Sequence, residues 1–129
     1  MGAESGGGFR PGRHLVAEGC IYRGAIGFHS QQASEKFVKA HLVLHQIDFP
    51  RTHNLGELLD LVAGENSELA ALLHEITALN PYGVEYRYPG DCPQVTQEDA
   101  ETTFRLAERV RTAIMPGLVA HLEGAWQGE

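Results

Sequence analysis

The chain has 129 residues, with 17 acidic side chains against 10 Lys and Arg, and a formal net charge of -7. That length suits one domain and excludes two. A hydrophobic share of 43% with 21% charged residues excludes wholesale disorder. The acidity excludes a broad, charge-driven nucleic-acid face and leaves room only for a local basic groove.

Residues 1–13 hold Gly2, Gly6, Gly7, Gly8 and Gly12 with almost nothing apolar, which predicts a flexible tail ahead of a helical domain over 14–125. Residues 22–45 have helical periodicity. Tyr22, Ile26, Ala33, Phe37, Ala40 and Leu44 fall within a sector of about 60°, the expected core face. Arg23, Ser30, Gln31, Ser34, His41 and His45 lie opposite and are expected to be solvated. A further strip with Phe28 and Leu42 predicts a helix that touches protein on two sides, central in a bundle or shared with a second subunit.

Pro50 breaks this helix. Asn54 with Glu57 resembles a capping box for a short helix burying Leu55, Leu58, Leu59 and Val62, which Gly64 ends. Leu69, Leu72, Leu73, Ile76 and Leu79 then trace one face of another helix. Residues 80–95 are rich in Pro, Gly and Tyr and predict a long loop. Thr96 and Asp99 suit the start of a last helix with a stripe of Ala100, Phe104, Ala107, Val110 and Ile114, kinked or ended at Pro116-Gly117 and continued more loosely by Leu118 and Leu122. No strand-period alternation of useful length occurs. The expected fold is all-α, a bundle of four or five helices.

Three places could carry chemistry. His29, Lys36, Gln32 and Lys39 form a polar flank on the long helix, with Glu35 just beyond; they could grip a phosphate and a base edge, or be an ordinary wet boundary. Arg51-Thr52-His53 precedes a helix N-terminus, which attracts anions unless these side chains merely cap and pack it. Tyr86-Arg87-Tyr88 could stack a base and bind a phosphate, or pin the loop by burial. His41 and His45 have metal-ligand spacing but show no third ligand, so no metal and no cofactor are expected. No GxSxG, Walker A or GxGxxG pattern is present.

Cys20 and Cys92 are too far apart for a CxxC motif. No cationic start leads into an apolar run, and no apolar stretch approaches the roughly 20 residues that span a bilayer. Together these features predict a cytoplasmic protein with reduced thiols.

Four segments, "FHSQQASEKFVKAHLV", "IDFPRTHNLGELLDLV", "YGVEYRYPGD" and "TQEDAETTFRLAERV", together resemble a HEPN domain (higher eukaryotes and prokaryotes nucleotide-binding) over about residues 14–114. The likeness is nearest to the stand-alone prokaryotic type with an RYP motif. It implies an antiparallel, up-and-down helical bundle that forms homodimers through its long helices. It also implies binding of nucleotide or RNA, and a minimal nucleotidyltransferase partner in a toxin–antitoxin-like pair. Carried over, the binding residues are His29, Gln32, Lys36 and Lys39, then Arg51 and His53, then Arg87 and Tyr88.

Two departures stand out: the first HEPN helix is represented only by residues 14–18, and the Arg-x4-6-His motif of HEPN ribonucleases is not at its usual place. The spacing occurs only as Arg23 with His29, about 9 Å apart in rise and about 120° apart around one helix. No catalytic residue is therefore assigned. The alternatives are a metal-independent endoribonuclease using His29 or His53 with Arg51 or Arg87, and a non-catalytic dimerisation module.

Overall fold

The structure, a computed structural model, describes residues 11–83 and 95–127. The glycine-rich start up to residue 10 and the segment 84–94, with Tyr86, Arg87, Tyr88 and Cys92, lie outside the described residues. The fold is an all-α bundle: α1 (Pro11–Leu44), α2 (Leu55–Glu65), α3 (Ser67–Leu72), a 3₁₀ helix (His74–Tyr82) and α4 (Gln97–Gln127). The described residues contain no strand.

α1 starts at Pro11, a residue suited to the first helical position, and turns a different side inward from the one its periodicity predicts. The apolar sector expected to face the core largely faces out: Tyr22 is 64% exposed and Ile26 42%, while Ala33, Phe37, Ala40 and Leu44 are only partly covered. The side expected to be wet is buried instead, with Ser30, Gln31, Ser34 and His41 inside alongside Val38 and Leu42. Periodicity finds an apolar stripe but does not say which partner covers it. Here the polar side goes inward because Gln31 and Glu35 pair with each other and with His53, and His41 with Glu65. The Ser34 hydroxyl is buried without a partner among the described residues, and the apolar stripe borders α4 and solvent. His45 does remain exposed, as expected.

Elsewhere the pattern reads through. Leu55, Leu58, Leu59 and Val62 of α2 are buried as expected, and they join Val38, Leu42, Leu73, Ile76, Leu79, Leu106, Val110 and Ile114 in one core. The helix expected after Gly64 is divided into α3 and the 3₁₀ helix. Leu72 is exposed, and only Leu73, Ile76 and Leu79 of that face are buried. The 3₁₀ helix runs through Pro81 to Tyr82, into the span expected to be loop. On α4 the buried stripe is Ala100, Thr103, Leu106, Val110 and Ile114, with Phe104 turned outward at 56% exposure. Pro116 sits inside α4, which continues past it to Gln127.

Both predicted helix starts are confirmed in part or whole. Thr96 and Asp99 form a complete capping box: Asp99 N donates to Thr96 Oγ1 at 2.9 Å and Thr96 N to Asp99 Oδ2 at 3.1 Å. Asn54 caps α2 by accepting from Glu57 N at 3.2 Å. The Glu57 carboxylate, however, accepts from the Thr52 hydroxyl, and it is Thr52 Oγ1 that accepts from Asn54 N. The box is thus closed through Thr52.

Side-chain contacts give the course of the chain. Arg23 Nε donates to the carbonyl of Val95, just ahead of α4, while Phe37 shares a hollow with Ala107 and Arg111. α1 and α4 therefore run side by side in the same sense. α2 also ascends, since its first N–H groups lie near Asn80 and its last residue, Glu65, meets His41 and His45. The descents are the segment 45–54 and the 3₁₀ helix, whose end at Tyr82 rests on Gly27. No helix among the described residues is long and apolar enough to cross a membrane.

Candidate ligand site around Glu35

Gln31, Glu35 and Lys39 follow one another at four-residue spacing, so one face of α1 holds them in a row. The Glu35 carboxylate, 5% exposed, is the centre of the row. Its Oε2 accepts from Lys39 Nζ at 2.8 Å and meets His53 Nδ1 at 2.8 Å, and its Oε1 accepts from Gln31 Nε2 at 3.1 Å. Gln31, fully buried, also donates to the His53 carbonyl at 3.3 Å and accepts from Gln32 Nε2 at 2.8 Å. A buried amide and a buried carboxylate thus fasten the segment 45–54 to the middle of α1.

Burial works to raise the Glu35 carboxyl pKa. Hydrogen bonds from Lys39, His53 and Gln31, with the Lys39 charge, outweigh it and hold the group below the usual glutamate range. Glu35 is therefore a fixed anion that orients an imidazole. It grips Nδ1 of His53, whose side chain is 80% exposed, so Nε2 is the ring nitrogen left for a ligand.

The residues singled out from sequence separate into groups. His53, Lys39 and Gln32 converge on the Gln31–Glu35 pair. Lys39 is already engaged, paired with Glu35 and set 5.6 Å from the Phe49 ring centroid. Lys36 and Arg51 are exposed and hold no partner among the described residues, so they are the cations with hydrogen-bonding capacity to spare. His29 instead packs edge-on against Phe28, with centroids 5.3 Å apart, and lines a hollow of about 360 Å³ with Ile26, Phe37 and Phe104 between α1 and α4. Arg87 and Tyr88 lie outside the described residues. Both ends of their segment are nonetheless fixed on α1: Gly83 lies against Gln31 and Val95 is tied to Arg23.

The anion site expected at the α2 N-terminus is partly filled by protein. Leu55 N donates to Asn80 Oδ1 at 2.9 Å and Glu57 N to Asn54, so those N–H groups are satisfied. Sequence reasoning missed Gln31 as a buried polar anchor and left Glu35 at the edge of the flank. The Gln31-x3-Glu35-x3-Lys39 spacing was the available signal. It also missed Glu65, which α2 brings against His41 and His45; nothing local in the sequence reveals that meeting.

The family model for the HEPN domain matches residues 13–117. Since that is most of the chain, the protein belongs to the HEPN domain family, and its all-α bundle agrees with that membership. No curated protein and no solved structure matches the chain.

Proposed function

We propose that this chain is a nucleotide- or RNA-binding HEPN subunit, cytoplasmic and homodimeric, which partners a minimal nucleotidyltransferase in a toxin–antitoxin-like pair. Family membership supports a nucleotide- or RNA-related role at its coarse level. The observation that carries the finer reading is the Glu35 network, which holds the His53 imidazole outward from a buried carboxylate. Lys36 and Arg51, exposed and without partners among the described residues, supply charge for phosphate from the same two elements. The segment bearing Arg87 and Tyr88 starts and ends on the same helix, so it can add a guanidinium and a stacking ring. In a chain of net charge -7, free cations on these two elements are the credible route to an anionic ligand.

The test is a titration of labelled ATP and of a short single-stranded RNA against wild type, Arg87→Ala and His53→Ala. Each variant is expected to bind at least about tenfold more weakly, the effect of losing one charge-assisted contact. Negligible affinity in all three proteins removes the binding role and leaves a dimerisation module. Co-purification with a nucleotidyltransferase encoded beside this gene tests the partner.

The homodimer reading rests on the apolar surface that α1 and α4 turn outward. Tyr22, Ile26 and Phe104 form an exposed apolar surface, of the kind that marks interaction sites. Wild type is expected to have a solution mass of twice 14.1 kDa, and the double variant Ile26→Asp with Phe104→Asp that of one chain. Sedimentation equilibrium distinguishes them; a wild-type monomer at high concentration overturns the reading.

A second reading, metal-independent endoribonuclease activity, is favoured by the same Glu35–His53 contact. A carboxylate on Nδ1 fixes the tautomer and lets Nε2 exchange a proton with a ribose or a leaving oxygen, with an arginine stabilising the phosphate. RNA cleaved by wild type and spared by His53→Ala supports it; RNA intact after prolonged incubation removes it.

A further inference from the structure

His41 lies in the last turn of α1 and His45 just past its end, with ring centroids 4.4 Å apart, and α2 ends in Glu65 directly across from them. His41 Nε2 is 2.9 Å from Glu65 Oε1, and His45 Nδ1 is 3.5 Å from Glu65 Oε2. One ligand atom from each of the three residues lies within 4.8 Å of the other two. From this geometry we infer that His41, His45 and Glu65 form a zinc-binding site, separate from the Glu35 cluster.

Four physical features support a metal ion rather than an ordinary hydrogen-bonded cluster. Donor atoms about 2.1 Å from a tetrahedral zinc are about 3.4 Å from one another. The two imidazole nitrogens lie 2.9 and 3.5 Å from the two Glu65 oxygens and one donor per residue falls within 4.8 Å, so the side chains need to close in by only about an ångström. Two imidazoles and one carboxylate are a borderline-soft set suited to zinc, whereas calcium and magnesium demand oxygen donors. The site also lies where α1 and α2 both end, so the partial negative charge of two helix C-termini favours a cation there.

Finally, the backbone carrying the ligands is fixed before any ion arrives. His45 N donates to the His41 carbonyl, Gln46 N to Val43 and Ile47 N to Leu42, with Gln46 at φ 58 closing the helix. Asn66 N donates to the Val62 carbonyl and so holds the turn after Glu65. His41 is buried while His45 and Glu65 face solvent, so the fourth position is open to water and the ion can exchange.

Equilibrium dialysis of the full chain with Zn²⁺ is expected to give one ion per chain, with affinity at least about tenfold lower in His45→Ala and in Glu65→Gln. Zn²⁺ at a fixed concentration that saturates the wild type is expected to raise its Tm by roughly 5–10 °C and to raise that of each variant by markedly less. Co²⁺ in its place is expected to give tetrahedral visible bands without thiolate charge transfer, which excludes Cys20 and Cys92 as the ligands. His45 is exposed, and Glu65→Gln keeps side-chain volume, so both variants are expected to fold. Absence of zinc binding at 100 µM, or binding equal in wild type and both variants, overturns the site.

Discussion

Replacing Glu35 by alanine is expected to lower stability by about 2–3 kcal/mol and Tm by roughly 10 °C. The substitution leaves the Lys39 ammonium, the His53 imidazole and one donor of a fully buried amide without their acceptor. Breaking a fully buried ion pair costs about 3–5 kcal/mol, but Lys39 and His53 can regain water, which trims the loss. Glu35→Gln keeps volume and an acceptor and should cost about 1 kcal/mol. Urea denaturation of the three proteins measures the series.

The same network predicts an acid limb. Glu35 has a folded-state pKa held below its ordinary value near 4.5, so its contribution is fully present above that pH. It is lost as pH falls through the lower folded value, where the carboxyl takes up its proton. Wild type is therefore expected to lose stability more steeply below about pH 4.5 than Glu35→Gln, and parallel acid limbs would contradict this account.

The second large effect is expected at Gly27. A Cβ there would lie 2.5 Å from Tyr82 Cδ1 and 3.1 Å from Cγ and Cε1, so the ring must move. Alanine in place of glycine gains about 1 kcal/mol of helix propensity, while overpacking costs about 1–3 kcal/mol. With the Cβ as close as 2.5 Å, overpacking wins, and Gly27→Ala is expected to be net destabilising by up to about 2 kcal/mol. Gly117→Ala serves as the control, because nothing lies within 4 Å of its Cβ position and the propensity gain stands alone. Gly27→Ala is also expected to weaken nucleotide or RNA binding, since Tyr82 leads into the segment that carries Arg87 and Tyr88. Melts and the same titrations, run on both variants, check the pair.

Much of the helical layout was legible because it rests on local rules. The buried set of α2 and the Thr96–Asp99 box follow from short-range spacing, and both emerge as expected. The HEPN motifs were legible too, as an ordered pattern of residue types. The orientation of α1 was not, because its two sides compete. Its apolar stripe needs a cover that one chain does not fully supply, while Gln31, Glu35 and His41 enter the interior with partners from distant segments. For the candidate site, the sequence pointed to Lys36, Lys39, Arg51 and His53 as binding residues. It did not point to the buried amide and carboxylate that organise two of them, since burial of polar groups depends on pairings 18 and 22 residues apart.

α1 is a single unbroken helix of 34 residues, roughly 51 Å long, and it positions most of the features of the fold. The anchor of the 84–94 segment, the row around Glu35, and His41 with His45 just past the end occupy successive stretches of this one rod. Inserting one residue in its middle would rotate the far half by about 100° relative to the near half, detaching each feature from its counterpart at a stroke. Variation among relatives of this chain should accordingly be substitutional along α1, with changes of length confined to the connections on either side of it.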